Sequence, residues 1–299
     1  MAVKRRSVES MFTTTDGLTL VGDGYGDPAH APVLLMHGGG QTRHAWGGTA
    51  RALARHGWYA VCVDLRGHGD SSWSPDGNYG IDVFARDFAV LARAFERPPV
   101  LVGASLSGLA ALIAQGEAEA ALFAALVLVD VTPRLDPQGT QHIIDFMRAR
   151  MEEGFATLEE AADTIAAYVP HRQRPKNLDG LAKNLRRHPD GRYRWHWDPQ
   201  FMAGKKPPDV HSQHDRLFAA ARNLRIPTLL VRGRMSDLVT EEAAREFLEL
   251  VPHAKFADVS GAGHMVAGDR NDAFTAAVVG FLDGEADQGS KMKDQGESL

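Results

Sequence analysis

The chain of 299 residues has one cysteine, Cys62, which excludes an internal disulfide. It sits in Trp58-Tyr59-Ala60-Val61-Cys62-Val63-Asp64, a segment read as a buried strand, where a thiol serves as core filler. Long hydrophobic runs are also missing. The longest, Ala120 to Val129, stops at Asp130 and is too short to span a bilayer. The start, Met1-Ala2-Val3-Lys4-Arg5-Arg6-Ser7, is basic but lacks the apolar stretch of a signal peptide. Charge of one sign is scarce: 33 Lys and Arg against 38 Asp and Glu leave −5, which argues against a general affinity for nucleic acid or anionic membranes. HExxH and paired CxxC motifs are absent, so no metal site is indicated. A cytoplasmic protein free of membrane and nucleic acid is the expectation. With 44 % hydrophobic residues, it can bury a substantial core.

What is present is alternation. Two segments, around Val8 to Thr13 and Leu18 to Val21, flank Asp16-Gly17 and predict an antiparallel hairpin. After it come short, continuously apolar runs at Val33 to Met36, Tyr59 to Val63, Val100 to Val102, Leu126 to Val129 and Thr228 to Val231. Such runs suit parallel strands covered on both faces. Helical spacing lies between them at Thr49 to His56, Val83 to Phe95 and Leu106 to Glu117, so an α/β fold with a mostly parallel, doubly wound sheet is expected. The alternation breaks across 132–225, which shows no obvious strand. It reads as helices at Gln141 to Glu153, Leu158 to Tyr168, Leu178 to Arg187 and His214 to Asn223, punctuated by prolines. The expected organisation is a core of 1–131 and 226–283, a helical cap of 132–225, and a disordered tail of 284–299. The last helices are placed at Glu241 to Leu250, with Thr240 as N-cap, and at Asp272 to Leu282.

The chemistry centres on Gly103-Ala104-Ser105-Leu106-Ser107-Gly108, between an apolar strand and a helix. A serine on such a sharp turn holds its hydroxyl over the sheet edge, where a base can reach it. This pattern points to a hydrolase with Ser105 as nucleophile. The bland reading is a helix cap. A serine nucleophile needs a base and a group that orients the base. His264, in Ser260-Gly261-Ala262-Gly263-His264, supplies the base, and Asp237, beyond the run Leu229 to Val231, supplies the acid; Asp130, directly after Leu126 to Val129, is the rival acid. Loops after the carboxyl ends of parallel strands are where such groups assemble. Oxyanion donors are expected from the Leu106 N–H and from His37-Gly38-Gly39-Gly40, with Gly39 preferred and Gly38 or Gly40 left open.

These pieces, with Asp64-Leu65-Arg66-Gly67-His68-Gly69-Asp70-Ser71, resemble the α/β-hydrolase superfamily in its capped esterase, lactonase and haloperoxidase-like branch. The resemblance runs from about Pro32 to Leu282. It implies a serine triad without metal or organic cofactor, and a cap that shapes an acyl pocket. Two departures stand out. The usual glycine two residues after the nucleophile is Ser107, and the proline often found after the His-Gly pair is Gly40. The aspartate nucleophile of dehalogenase-like and epoxide-hydrolase-like relatives is Ser105 here, which disfavours those reactions.

The expected substrate is a small or medium carboxylic ester, or a lactone. The same triad would serve carbon–carbon bond hydrolysis or perhydrolysis, and a hydrolase-fold binding or sensor protein is the reading from another class. His37 and His68 are expected to support loops. Trp46, Trp195 and Trp197 are candidates for substrate contact, against ordinary packing. The basic stretch His171 to Arg194 is read as a solvated face.

Overall fold

A computed structural model describes residues 7–170, 174, 176–209 and 211–296. The basic start at 1–6, with His171, Arg172 and Pro175 of the basic stretch, lies outside the described residues. Eight strands form one sheet: β1 (Val8–Thr13), β2 (Thr19–Tyr25), β3 (Ala31–Met36), β4 (Trp58–Val63), β5 (Val100–Ala104), β6 (Ala125–Val129), and, after a long excursion, β9 (Thr228–Gly233) and β10 (Lys255–Val259). Their order is β1-β2-β4-β3-β5-β6-β9-β10, with β1–β2 and β2–β4 antiparallel and the other pairs parallel.

Each central strand buries both faces because its residues alternate between two apolar layers. Leu34 and Met36 of β3 face one layer, while Val33 and Leu35 face the other. Helices α2 (Ile81–Arg93) and α3 (Leu106–Gly116) cover the first layer; α1 (Gly47–Arg55), the short α10 (Val266–Asp269) and α11 (Asn271–Gly296) cover the second. Cys62 is buried in the second layer, as a filler should be.

Between β6 and β9 the chain forms α4 (Pro137–Arg148), α5 (Leu158–Tyr168), α6 (Asp179–Ala182), the hairpin β7 (Leu185–Arg187) with β8 (Tyr193–Trp195), α7 (Gln200–Ala203) and α8 (His214–Arg222). Of the helix expected over Leu178 to Arg187, α6 forms Asp179–Ala182, and the end, Leu185–Arg187, is a strand of the hairpin instead. Gly191, at φ +83°, and the His188 N–H bond to Arg192 O (2.8 Å) close its turn, while the run of arginines hides the strand alternation. Helix α4 starts earlier than its apolar spacing indicates, because Asp136 caps the N–H groups of Gln138 and Gly139 and Pro137 fits the first turn. Helix α8 packs on α3 of the sheet layer: a Cβ on Gly116 would stand 2.4 Å from Ala220 O. Thr240 caps α9 (Glu241–Leu250) through the Ala243 N–H. Helix α11 runs through Gly296, past the Leu282 end and into the stretch whose composition suggests disorder. Glu, Gln and Lys there are good helix formers, and Gly284 and Gly289 weaken the helix without ending it. No helix among the described residues is long and apolar enough to cross a membrane.

Candidate active site

The elbow after β5 depends on two missing side chains. A Cβ on Gly103 would come within 2.9 Å of Gly108 N, and one on Gly108 would meet Val131 Cγ1 at 2.4 Å. Their absence lets α3 start hard against the strand. Ser105 sits between them at φ 49° and ψ −119°, a strained backbone for a residue with a side chain. It occupies the N-cap position, yet its side chain makes no capping bond, so the bland reading does not describe it. Ser107, the departure from the usual glycine, donates its hydroxyl to His37 O and ties the elbow to the glycine loop. In the sequence Ser107 stands out only as a departure from the usual glycine; its hydroxyl bond has no sequence signal.

Asp130 directly follows β6 at φ 50°, fully buried. Its Oδ1 accepts the Gly233 N–H (2.9 Å), and its Oδ2 accepts the Ser236 hydroxyl (2.5 Å) and His264 Nδ1–H (2.7 Å). The imidazole reaches it because β9 and the β10 loop touch: a Cβ on Gly233 would lie 2.1 Å from Gly263 O.

Asp237 does not meet His264. Its side chain is 55 % exposed and its carboxylate lies 3.3 Å from His142 Nδ1 on α4. The cause is the turn after β9, where Ser236 points inward and its Oγ accepts the N–H groups of Leu238 (3.1 Å) and Val239 (3.3 Å). The neighbouring side chain is thereby turned to solvent. The expectation that Asp237 orients the imidazole is corrected to Asp130.

The glycine loop after β3 is held by three buried histidines. Leu65 N–H donates to His37 Nε2 (3.0 Å), so His37 Nδ1 carries the proton and donates to Gly38 O (2.8 Å). Gly40 N–H donates to His68 Nε2 (3.0 Å), leaving His68 Nδ1–H for Arg66 O (3.0 Å). Burial pushes the His37 pKa down to about 4 and the His68 pKa to about 3, so both rings are neutral. Gly38 N–H faces Gln41 Oε1 (3.3 Å) and Gly40 N–H is taken by His68. Gly39 N–H is thus the amide of the three left without an acceptor among the described residues. Leu106, first residue of α3, has an N–H that no intrahelical carbonyl can accept. Behind the loop, Arg43 pairs with Asp64, Asp70 (2.7 Å) and Asp23 (3.2 Å), which fixes the Asp64 to Ser71 segment.

Ser105, Leu106, Gly39 and His264 line one cavity of about 600 Å³. Its other walls are mostly apolar and come largely from the segment between β6 and β9, including Ile143, Phe146, Met147 and Ile165, with Arg148, Asn184 and Asp209 among the polar exceptions. Trp195 and Trp197 stack at 5.0 Å and border it, as does Trp46, which packs on Phe274 at 5.6 Å. A second hollow of about 760 Å³ between α2 and α3 contains none of these polar groups. Several arginines of the basic stretch are engaged locally: Arg174 with Asp163 (2.6 Å), Arg194 with Asp190 (2.7 Å) and Arg192 with the carbonyls of Glu153 (2.6 Å) and Gly154 (3.0 Å).

Comparison with known proteins agrees with this architecture. Residues 31–270 match the family model described as alpha/beta hydrolase fold. The esterase Rv0045c of Mycobacterium tuberculosis is 32 % identical over 262 residues, covering 84 % of this chain and 82 % of that one. A 3-hydroxybutyrate-oligomer hydrolase of Cupriavidus necator is 27 % identical over 80 % of this chain and 85 % of its own length. A solved structure of the M. tuberculosis esterase superposes with a TM-score of 0.71 at 28 % identity, over 93 % of this chain and 92 % of that one. The elbow, the strand order and these matches have one explanation: the chain belongs to the α/β-hydrolase fold family.

Proposed function

We propose that the chain is a cofactor-independent serine hydrolase that cleaves carboxylic esters with an apolar acyl group. The observation that carries this reading is the bond from His264 to the buried Asp130 carboxylate (2.7 Å), with His264 at the wall of a cavity shared with Ser105. Asp130 fixes the imidazole with its proton on Nδ1, which leaves Nε2 as the base. Ser105 Oγ attacks the ester carbonyl while His264 Nε2 takes its proton. The N–H groups of Leu106 and Gly39 receive the negative oxygen of the tetrahedral intermediate. Collapse expels the alkoxide, protonated by His264, and leaves an acyl group on Ser105. Water, deprotonated by His264, then attacks that acyl group, and the acid leaves with Ser105 restored.

Support for an ester comes from the names of the two relatives, an esterase and an oligomer hydrolase. The apolar walls around Trp195 and Trp197 favour an acyl chain over a charged group. The test is hydrolysis of aryl esters by the wild type and Ser105→Ala, run beside a vinylogous diketone and a fluorophosphonate probe. Ester turnover that disappears with Ser105, together with labelling at Ser105, is expected. Faster cleavage of the diketone would move the reading to carbon–carbon hydrolysis, and an inert serine would move it to ligand binding.

A further inference from the structure

The third histidine on the glycine loop comes from the segment between β6 and β9. His196 follows β8 and is buried. Gly69 N–H donates to its Nδ1 (2.8 Å), which leaves the ring proton on Nε2, directed at Gly40 O (3.3 Å). Gly40 is therefore gripped on both sides: its N–H by His68 from the β4 loop, its carbonyl by His196 from the inserted segment. The peptide before it, which carries Gly39 N–H, is held at its Gly38 carbonyl by His37. Three successive peptide units are thus each fixed by one imidazole. Gly40 itself stands at φ +77°, and a Cβ there would meet Met147 Cε at 2.9 Å and Trp197 Cζ3 at 3.3 Å. The inserted segment therefore presses on the loop where the chain reverses.

We propose that His196 is a positioning residue through which the inserted segment aims the Gly39 N–H at the developing oxyanion. The inference rests on the oxyanion role given to Gly39 above. A free glycine loop samples many orientations of its peptides, and donors act best when fixed before charge develops. Neutral His196 fits this duty. The groups around it are the neutral rings of His68 and His37 and the Arg186 guanidinium, which donates to Gly69 O. Burial, first, and then these neighbours hold its pKa well below the ordinary value. A second ring proton would point at Gly69 N–H and sit beside Arg186.

Two substitutions separate the bonds. His196→Gln can present an amide donor to Gly40 O; His196→Asn is too short for that, but its oxygen can still accept Gly69 N–H. On an aryl ester, H196N is expected to lose about tenfold in kcat with KM within about twofold, and H196Q to retain most of the wild-type kcat. A boronic acid that forms a tetrahedral adduct should weaken in step with kcat. Equal losses in both variants, a loss confined to KM, or an unchanged kcat in H196N would overturn the inference. A measurement on the wild type needs no variant to fold. Nitrogen-15 spectra at neutral pH should show His196 protonated at Nε2 alone. An Nδ1–H tautomer or an imidazolium overturns the proposal. If wild type and Ser105→Ala hydrolyse the ester equally, the serine reading fails and takes this inference with it. An active wild type with an indifferent H196N removes this inference alone.

Discussion

Asp130, at the end of β6, accepts three hydrogen bonds of 2.9 Å or less while fully buried; Asp237, where α4 meets the sheet, is 55 % exposed with an exposed histidine beside it. The contrast extends beyond the two carboxylates. Around Ser105 the sheet edge holds polar groups in place with convergent donors shielded from water. The segment above it contributes apolar walls and, outside them, ion pairs open to solvent. Position after a strand is therefore weak information about a carboxylate; the number of buried donors aimed at it is strong information.

The largest break in this comparison is Ser105→Ala, which should lower kcat on an aryl ester by roughly 10⁴-fold or more while the melting temperature stays near the wild-type value. The two aspartates come next. Asp130→Asn should cost about 10³- to 10⁴-fold in kcat, because an amide stabilises neither the useful tautomer nor the imidazolium, whereas Asp237→Asn should stay within about twofold. The reverse ranking in steady-state kinetics would return the acid to Asp237.

Acid sharpens the contrast through stability. His37 and His68 are kept neutral in the fold, at about 4 and about 3, while the unfolded chain protonates the same rings near 6.5. Below pH 6.5 the unfolded state therefore binds more protons, so stability falls as the pH drops from 6.5 toward 4. A loss on the order of a few kcal/mol is expected by pH 4, and a flat melting temperature across that range would contradict it.

The apolar walls give smaller effects. Ile143→Ala should improve turnover of acyl chains one or two carbons longer relative to acetyl esters, by a factor reflecting about 1 kcal/mol per methylene. An unchanged chain-length profile would remove Ile143 from the acyl wall. The smallest effect belongs to the solvent-exposed pair of Arg134 with Glu246 (2.6 Å), where Arg134→Ala should cost less than about 1 kcal/mol in denaturant titration.

Ser105, His264 and the apolar strands are legible in sequence because each rests on a local pattern: a serine between strand and helix, a histidine among glycines, runs of Val and Leu. The β7–β8 hairpin is not, since Leu185-Arg186-Arg187 and Tyr193-Arg194-Trp195 lack a clean apolar alternation. The acid is half legible. Asp130 and Asp237 both follow strands, and the choice between them is made by the inward turn of Ser236, a backbone event. His196 is hidden for a different reason: its partners Gly69 and Gly40 are more than a hundred residues away, and no spacing in the sequence announces that meeting.

Asp130 is the first residue after β6, where the chain departs for almost a hundred positions, and its carboxylate is clamped entirely by groups that follow the chain's return. The intervening stretch can consequently be lengthened, trimmed or transplanted with the carboxylate left in register. Such grafts would remodel what the enzyme accepts without rebuilding how it reacts, provided the incoming piece supplies an N–H donor for the Gly40 carbonyl.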